Sequence, residues 1–225
     1  MEIAKNRASA LLNALGLKSG IDYMAGPEPR FKDRMYKLTL EGYVKIKELG
    51  EEKLRKFGLL LKDKMLYPEQ LAVEGVKAYY MHNALGQYSP KVFALLDECR
   101  SKGYLMEFTS GYHIAELFRY KPRDGSLKLR INEKGDERLI ILTKREILGI
   151  KEQLDDIQNL LYKNKIVHGD IYEGNILLSY DGKKITLIDP WWETYDPERL
   201  DKCVRNDASE IARIKGRLDK LISGF

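Results

Sequence analysis

Two cysteines in 225 residues are too few for a disulfide framework, and Cys99 and Cys203 stand at no metal-ligand spacing. Histidine is equally scarce, with three in the chain, and neither His82 nor His113 has a partner at metal-binding spacing. No apolar run reaches the length of a membrane span. The opening Met1-Glu2-Ile3-Ala4-Lys5 lacks the apolar core of a signal peptide. There is no internal repeat and no low-complexity tract. Together these absences point to a reducing, cytoplasmic setting.

What is present is the composition of a globular chain, with 44% apolar and 32% charged residues, and enough length for a full core. The net charge is +5 and the pI near 8.9. That mild basicity suits anionic ligands such as nucleotides, and it is compatible with RNA contact without requiring it.

Residues 4–16 read as a helix with Ala8, Leu11, Leu12 and Leu15 on one face. Gly26-Pro27-Glu28-Pro29 marks a break. Met35 to Leu40, Tyr43 to Leu49 and Phe57 to Leu61 read as three short strands, with residues 51–57 open to a helix on propensity. Pro68 starts a helix that runs to about Leu85. Strands follow at Lys91 to Leu96 and Tyr104 to Phe108. Lys121 to Arg138 is a charged hairpin or surface excursion. Thr143 and Glu146 form a capping box for a long helix ending near Asn164, whose stripe of Ile147, Ile150, Leu154, Ile157, Leu160 and Leu161 is core. A last helix is expected over about 205–223, with Asp207 near its start as a cap.

The densest chemistry lies in His168-Gly169-Asp170-Ile171-Tyr172-Glu173-Gly174-Asn175, followed by Ile188-Asp189-Pro190. Ile176-Leu177-Leu178 and Ile185-Thr186-Leu187-Ile188 flank an Asp181-Gly182 turn, a strong hairpin signal. Such a hairpin brings Asn175 and Asp189 together at one end. Phosphoryl transfer needs these groups: a carboxylate to orient the attacking hydroxyl and accept its proton, and oxygen ligands for Mg²⁺.

This pattern, His-x-Asp-x-x-x-x-Asn with a later Ile-Asp-Pro, resembles the protein-kinase-like superfamily. Gly169 between the His and the Asp looks like its minimal atypical branches: RIO kinases, the small kinase of the tRNA-threonylcarbamoylation complex, lipopolysaccharide kinases and aminoglycoside phosphotransferases. The resemblance covers roughly residues 59–190. It implies an α+β fold of two lobes: a small N-terminal antiparallel sheet with a helix, then a truncated, mainly helical C-lobe. Residues 1–30 would be a helical extension, 31–108 the N-lobe and 109–225 the C-lobe.

The resemblance also implies roles. Asp170 would be catalytic and His168 would brace the loop. Asn175 and Asp189 would hold Mg²⁺ (or Mn²⁺). Lys62 would contact the ATP phosphates and pair with Glu74, with Lys45, Lys47 and Lys64 as rival lysines. Met106, Glu107 and Phe108 would form the hinge that reads adenine, with Ile188 stacking on the base. Asp207 could support the loop instead of capping a helix. Trp191 and Trp192 are expected to pack the core rather than to form a shelf for substrate.

The chain departs from the family where a Gly-rich loop should cover the phosphates: Leu40-Glu41-Gly42-Tyr43 is all it offers. With 36 residues after Asp189, a long activation segment is not expected. The function so implied is an ATP- and Mg-dependent serine/threonine protein kinase capable of autophosphorylation, acting on a protein substrate or complex partner. The alternatives are a small-molecule or sugar kinase and a nucleotide-binding pseudokinase scaffold.

Overall fold

The structure, a computed structural model, describes residues 7–26, 35–63, 68–98, 101–133, 136–191 and 200–225. Pro27, Lys64, Cys99 and Trp192 lie outside these residues. The fold is mixed α/β and divides into two compact units. Among the described residues no helix is long and apolar enough to cross a membrane.

The first unit draws on residues 7–86 and 90–108. Its sheet contains β1 (Tyr23–Ala25), β2 (Tyr36–Leu38), β3 (Leu59–Lys62), β4 (Val92–Glu98) and β5 (Ser101–Glu107), in the order β1-β2-β4-β5-β3. All pairs are antiparallel except β2 with β4. Alternation along the strands sends side chains to two faces. Leu59, Leu96 and Leu105 join one core with Leu12 and Leu15 of the N-terminal segment and with Ile46. Tyr104 and Met106 join a second core under α3 (Pro68–Leu85), with Leu71, Ala78 and Tyr79. The N-terminal helix α1 (Arg7–Ala14) therefore helps to build this unit's core and is not a separate extension.

One expected strand is a helix. Residues Tyr43 to Leu49 lie in α2 (Leu40–Lys56), capped by Thr39, whose hydroxyl accepts the Gly42 N–H at 3.1 Å. The alternation of Val44 and Ile46 suggests a strand. Yet the buried positions are Tyr43 and Ile46, with Leu49 partly buried, which is helical spacing, and Val44 is exposed. Gly50, at φ 74°, breaks the helix, and residues 51–56 continue beyond it as a second helical piece.

The second unit comprises described residues of 87–89, 109–191 and 200–225. The stretch from Lys121 to Arg138 proves to be mostly hairpin: β7 (Leu127–Glu133) pairs with β8 (Asp136–Leu142), and Leu127, Leu129, Ile140 and Leu142 are buried. The capping box at Thr143 forms: the Thr143 N–H donates to Glu146 Oε2 at 2.7 Å and starts α4 (Lys144–Asn164). α4 packs against α5 (Leu200–Ile222) through Ile147, Ile150, Leu154, Ile157 and Leu161 on one side and Ile211, Ile214, Leu218 and Leu221 on the other. β9 (Ile176–Leu178) and β10 (Ile185–Leu187) form the hairpin expected around Asp181-Gly182, in the register Ile176↔Leu187. A short strand, β6 (Tyr112–His113), pairs with β9 on its other edge.

Candidate functional site

Asn175 immediately precedes β9, and Asp189 lies two positions past the end of β10, after Ile188. The Ile188 N–H donates to the Asn175 carbonyl at 2.9 Å, which carries the ladder one step past the named strands and sets the two residues at the same end of the hairpin. The Asn175 amide then turns inward. Its Nδ2 donates to Asp170 Oδ2 at 2.8 Å and to the Asp170 carbonyl at 2.9 Å. One carboxylate oxygen of Asp170 is tied down, while the other has no protein partner among the described residues. Asp170 itself is half-buried.

His168 is fully buried beneath this loop. Its Nε2 lies 2.9 Å from the Ile188 carbonyl, which only accepts, so Nε2 carries the proton. Nδ1 is then free to accept the Asp170 N–H at 3.3 Å. One neutral imidazole thus joins the Asp170 end of the loop to the strand that leads into Asp189. Asp189 adopts φ 54°, in the left-handed region. Asp tolerates that region better than most residues, and strain of this kind gathers at functional sites. Gly169 lies at φ 86°, where a side chain is disfavoured, so the backbone itself asks for glycine between His168 and Asp170.

Asp207 is not a helix cap. α5 begins at Leu200, so Asp207 lies about two turns inside it, buried. Its carboxylate accepts the N–H of His168 at 2.7 Å and of Gly169 at 3.0 Å. The role set aside in the sequence reading, loop support, is the one that the geometry gives.

A second support has no counterpart in the sequence reading. Glu173, inside the loop and buried, accepts two parallel bonds from Arg213 at 2.8 Å each and a further bond from Arg217. The Arg213 guanidinium, with help from Arg217, holds the Glu173 carboxyl down at about 2. Both arginines lie on α5, 40 and 44 residues away in sequence, so no local spacing signals the contact.

In the first unit, Lys62 Nζ meets Glu74 Oε1 at 2.8 Å. The Tyr104 hydroxyl donates to the same oxygen at 2.5 Å. Glu74 is buried, and pairing with Lys62 and Tyr104 offsets its desolvation. Gly75 makes this approach possible: a Cβ there would lie 2.5 Å from Leu95 and 2.9 Å from the Tyr104 ring. The two rival lysines within the described residues have other partners. Lys45 holds the buried Asp22 at 2.7 Å, and Lys47 holds Asp63 at 3.1 Å.

The hinge residues are placed differently from the expectation. β5 ends at Glu107, but the N–H groups of Glu107 and Phe108 are engaged, by the Lys91 carbonyl and the Gly58 carbonyl at 2.8 Å each. Met106 is buried in the sheet and Phe108 lies under the Arg55 guanidinium, 4.6 Å from its ring centre. Ile188, in the second unit, is half-buried. Leu40-Glu41-Gly42-Tyr43, the expected remnant of a Gly-rich loop, is the first turn of α2. Among the described residues β3 pairs only with β5, and no strand hairpin lies on its outer edge. Trp191 is 37% exposed and is not a core residue.

Asn175 and Asp189 supply hard oxygen donors of the kind that Mg²⁺ prefers, and the Asn175 amide already uses its nitrogen on Asp170, leaving its oxygen as the acceptor. Among the described residues no group of three or more His, Cys, Asp or Glu side chains gathers as a metal site. The chain matches no protein-family model and no curated protein.

Proposed function

We propose that this chain is an ATP- and Mg²⁺-dependent phosphotransferase of the minimal protein-kinase-like kind, with a two-lobed kinase-like fold, acting on serine or threonine hydroxyls. The observation that carries this reading is the Asp170–Asn175 contact. A carboxylate with one oxygen fixed by an amide and the other without a protein partner among the described residues is set up to receive one proton from one direction. The loop around it is braced by His168, Asp207 and Glu173.

In this reading Asp170 orients the acceptor hydroxyl and takes its proton as the oxygen attacks the terminal phosphoryl group. Asn175 and Asp189 would hold Mg²⁺, which supplies neutralisation of the phosphate charge when bound. Lys62, set by Glu74 and Tyr104, contributes a positive charge to the nucleotide phosphates. Because the N–H groups of Glu107 and Phe108 are engaged, those two positions do not donate to adenine.

A second reading rests on one specific observation. A helix stands where the sequence suggests a phosphate-covering turn, which favours a nucleotide-binding scaffold with slow transfer or none. Incubation with labelled ATP and Mg²⁺, alone and with generic protein and sugar acceptors, separates the readings. Phosphate incorporated on Ser or Thr and lost in Asp170→Asn supports the kinase. Mg²⁺-dependent stabilisation by ATP without any transfer supports the scaffold, and rapid turnover of a sugar moves the assignment to a small-molecule kinase.

A further inference from the structure

Within the second unit, the segment after β6 and the C-terminal half of α5 flank an open, solvent-facing cavity of about 530 Å³. That is within the size range of small-ligand sites, ~300–1,000 Å³. Three cations line it, Lys121, Arg217 and Lys220, together with Phe118, Pro122 and Leu221, and no carboxylate of the described residues does. Lys121 and Lys220 are exposed and form no ion pair among the described residues. Like charges gathered around one hollow repel, and nothing in the packing of α4 on α5 requires them there. Arg217 has two partners within the unit. Its guanidinium lies 3.9 Å from the centre of the Phe118 ring and gives one N–H to Glu173. A guanidinium has five N–H donors, so most of its capacity remains.

We propose that this cavity binds a phosphate monoester with an apolar substituent, the phosphate facing Lys121, Arg217 and Lys220 and the substituent facing Phe118, Pro122 and Leu221. The charges match. Three cations less the share that Arg217 gives to Glu173 leave an excess of about two, close to the ~1.5–2 negative charges of a phosphate monoester at neutral pH. The site is separate from the groups assigned to nucleotide and acceptor, since none of its lining residues contacts either in that reading. It is nevertheless linked to the loop, because the guanidinium that walls the cavity also holds Glu173. An occupant and Glu173 therefore compete for Arg217.

Calorimetric titration of the full chain with phenyl phosphate and with inorganic phosphate, at low ionic strength, tests the site. Phenyl phosphate should bind at least ~5-fold more tightly than inorganic phosphate, the preference that an apolar wall confers. The double variant Lys121→Gln/Lys220→Gln should weaken both by at least ~10-fold. Phe118→Leu should shrink the preference for the phenyl group and leave inorganic phosphate unchanged. Glu173→Gln should tighten both, by releasing Arg217. Lys62→Met should alter neither. In the wild-type protein, phenyl phosphate should also protect Lys121 and Lys220 from amine acylation, read by mass spectrometry, which tests the site without any substitution. No binding at millimolar concentrations overturns the proposal. So does binding that Lys62→Met abolishes and the double lysine variant leaves intact, which would place the probe at the nucleotide site instead.

Discussion

The backbone N–H of His168 donates to the Asp207 carboxylate at 2.7 Å. The neighbouring Gly169 N–H reaches the same carboxylate, so one buried side chain on α5 satisfies two consecutive backbone donors at the entry to the loop. Asp207→Ala leaves both donors without their acceptor, the His168 N–H fully buried and the Gly169 N–H partly so. The expected loss is about 2–4 kcal/mol of stability, because hydrogen bonds to a charged acceptor are lost and their donors stay desolvated. Asp207→Asn keeps an oxygen and should lose less. Urea unfolding of the three proteins measures the order, and equal midpoints for wild type and Asp207→Ala would remove Asp207 from the scaffold of the loop.

Asp170 tests the chemistry separately from the fold. It is half-buried, and its side chain contributes one tie, to Asn175. Asp170→Asn should unfold at nearly the wild-type urea concentration and bind Mg²⁺-ATP with similar affinity. Phosphotransfer should fall by a factor of at least ~10², the size of a positioned general base. Near wild-type turnover in this variant would exclude the proton-accepting role.

The Lys62–Glu74 pair makes a different demand, since its partner is buried and the lysine is not. Lys62→Met should weaken ATP binding by ~10-fold or more, the loss of one charge-assisted phosphate contact. Lys47→Met removes an exposed partner of Asp63 and should leave ATP affinity within about two-fold, as for most surface ion pairs. The reverse order of effects would shift the phosphate contact from β3 to α2.

Glu173 sets an acid limit. Arg213 and Arg217 hold its carboxyl at about 2 in the folded chain, below the ordinary 4.5. A lowered folded value means that its stabilisation is complete above about 4.5 and disappears as pH falls from there toward 2. Both arginines are partly exposed, so screening reduces the effect to about 1–2 kcal/mol. Denaturation of wild type and Glu173→Gln should differ by that amount at pH 7 and converge as pH falls to about 2. A gap that persists in acid would assign the effect to packing and not to charge.

What the sequence made legible was local. Pro68, the Thr143–Glu146 box and the Asp181-Gly182 turn each set an element through neighbours a few residues away, and each element forms there. The loop could be read because the spacing of His168, Asp170 and Asn175 is itself local. Long-range facts were not legible. The Asp207 carboxylate reads as a cap until α5 is seen to start seven residues earlier, and the Arg213–Glu173 contact spans 40 residues with no periodic signal. In α2 the alternation of Val44 and Ile46 resembles a strand, although the Thr39 cap and the burial of Tyr43 and Ile46 decide for a helix.

Asp189 combines a conformational demand with a chemical one, and substitutions can separate them. At φ 54° its backbone favours residues that tolerate the left-handed region. Alanine there should cost about 1 kcal/mol or more, because its Cβ crowds the following carbonyl without a compensating side-chain bond. Asparagine tolerates the region and should preserve more of the wild-type stability. The carboxylate is a separate matter: both variants lose a full negative charge from the oxygen donors offered to a hard cation, so both should lose Mg²⁺-dependent ATP affinity. Asn175→Ala should weaken that affinity less, since the amide brings no charge, but it should also release Asp170 and lower turnover. Thermal unfolding reports the first demand and calorimetric ATP titration at several Mg²⁺ concentrations reports the second. Asp189→Asn with wild-type Mg²⁺ dependence would show that the carboxylate is not a metal ligand, and Asp189→Ala as stable as Asp189→Asn would show that the backbone there is not strained.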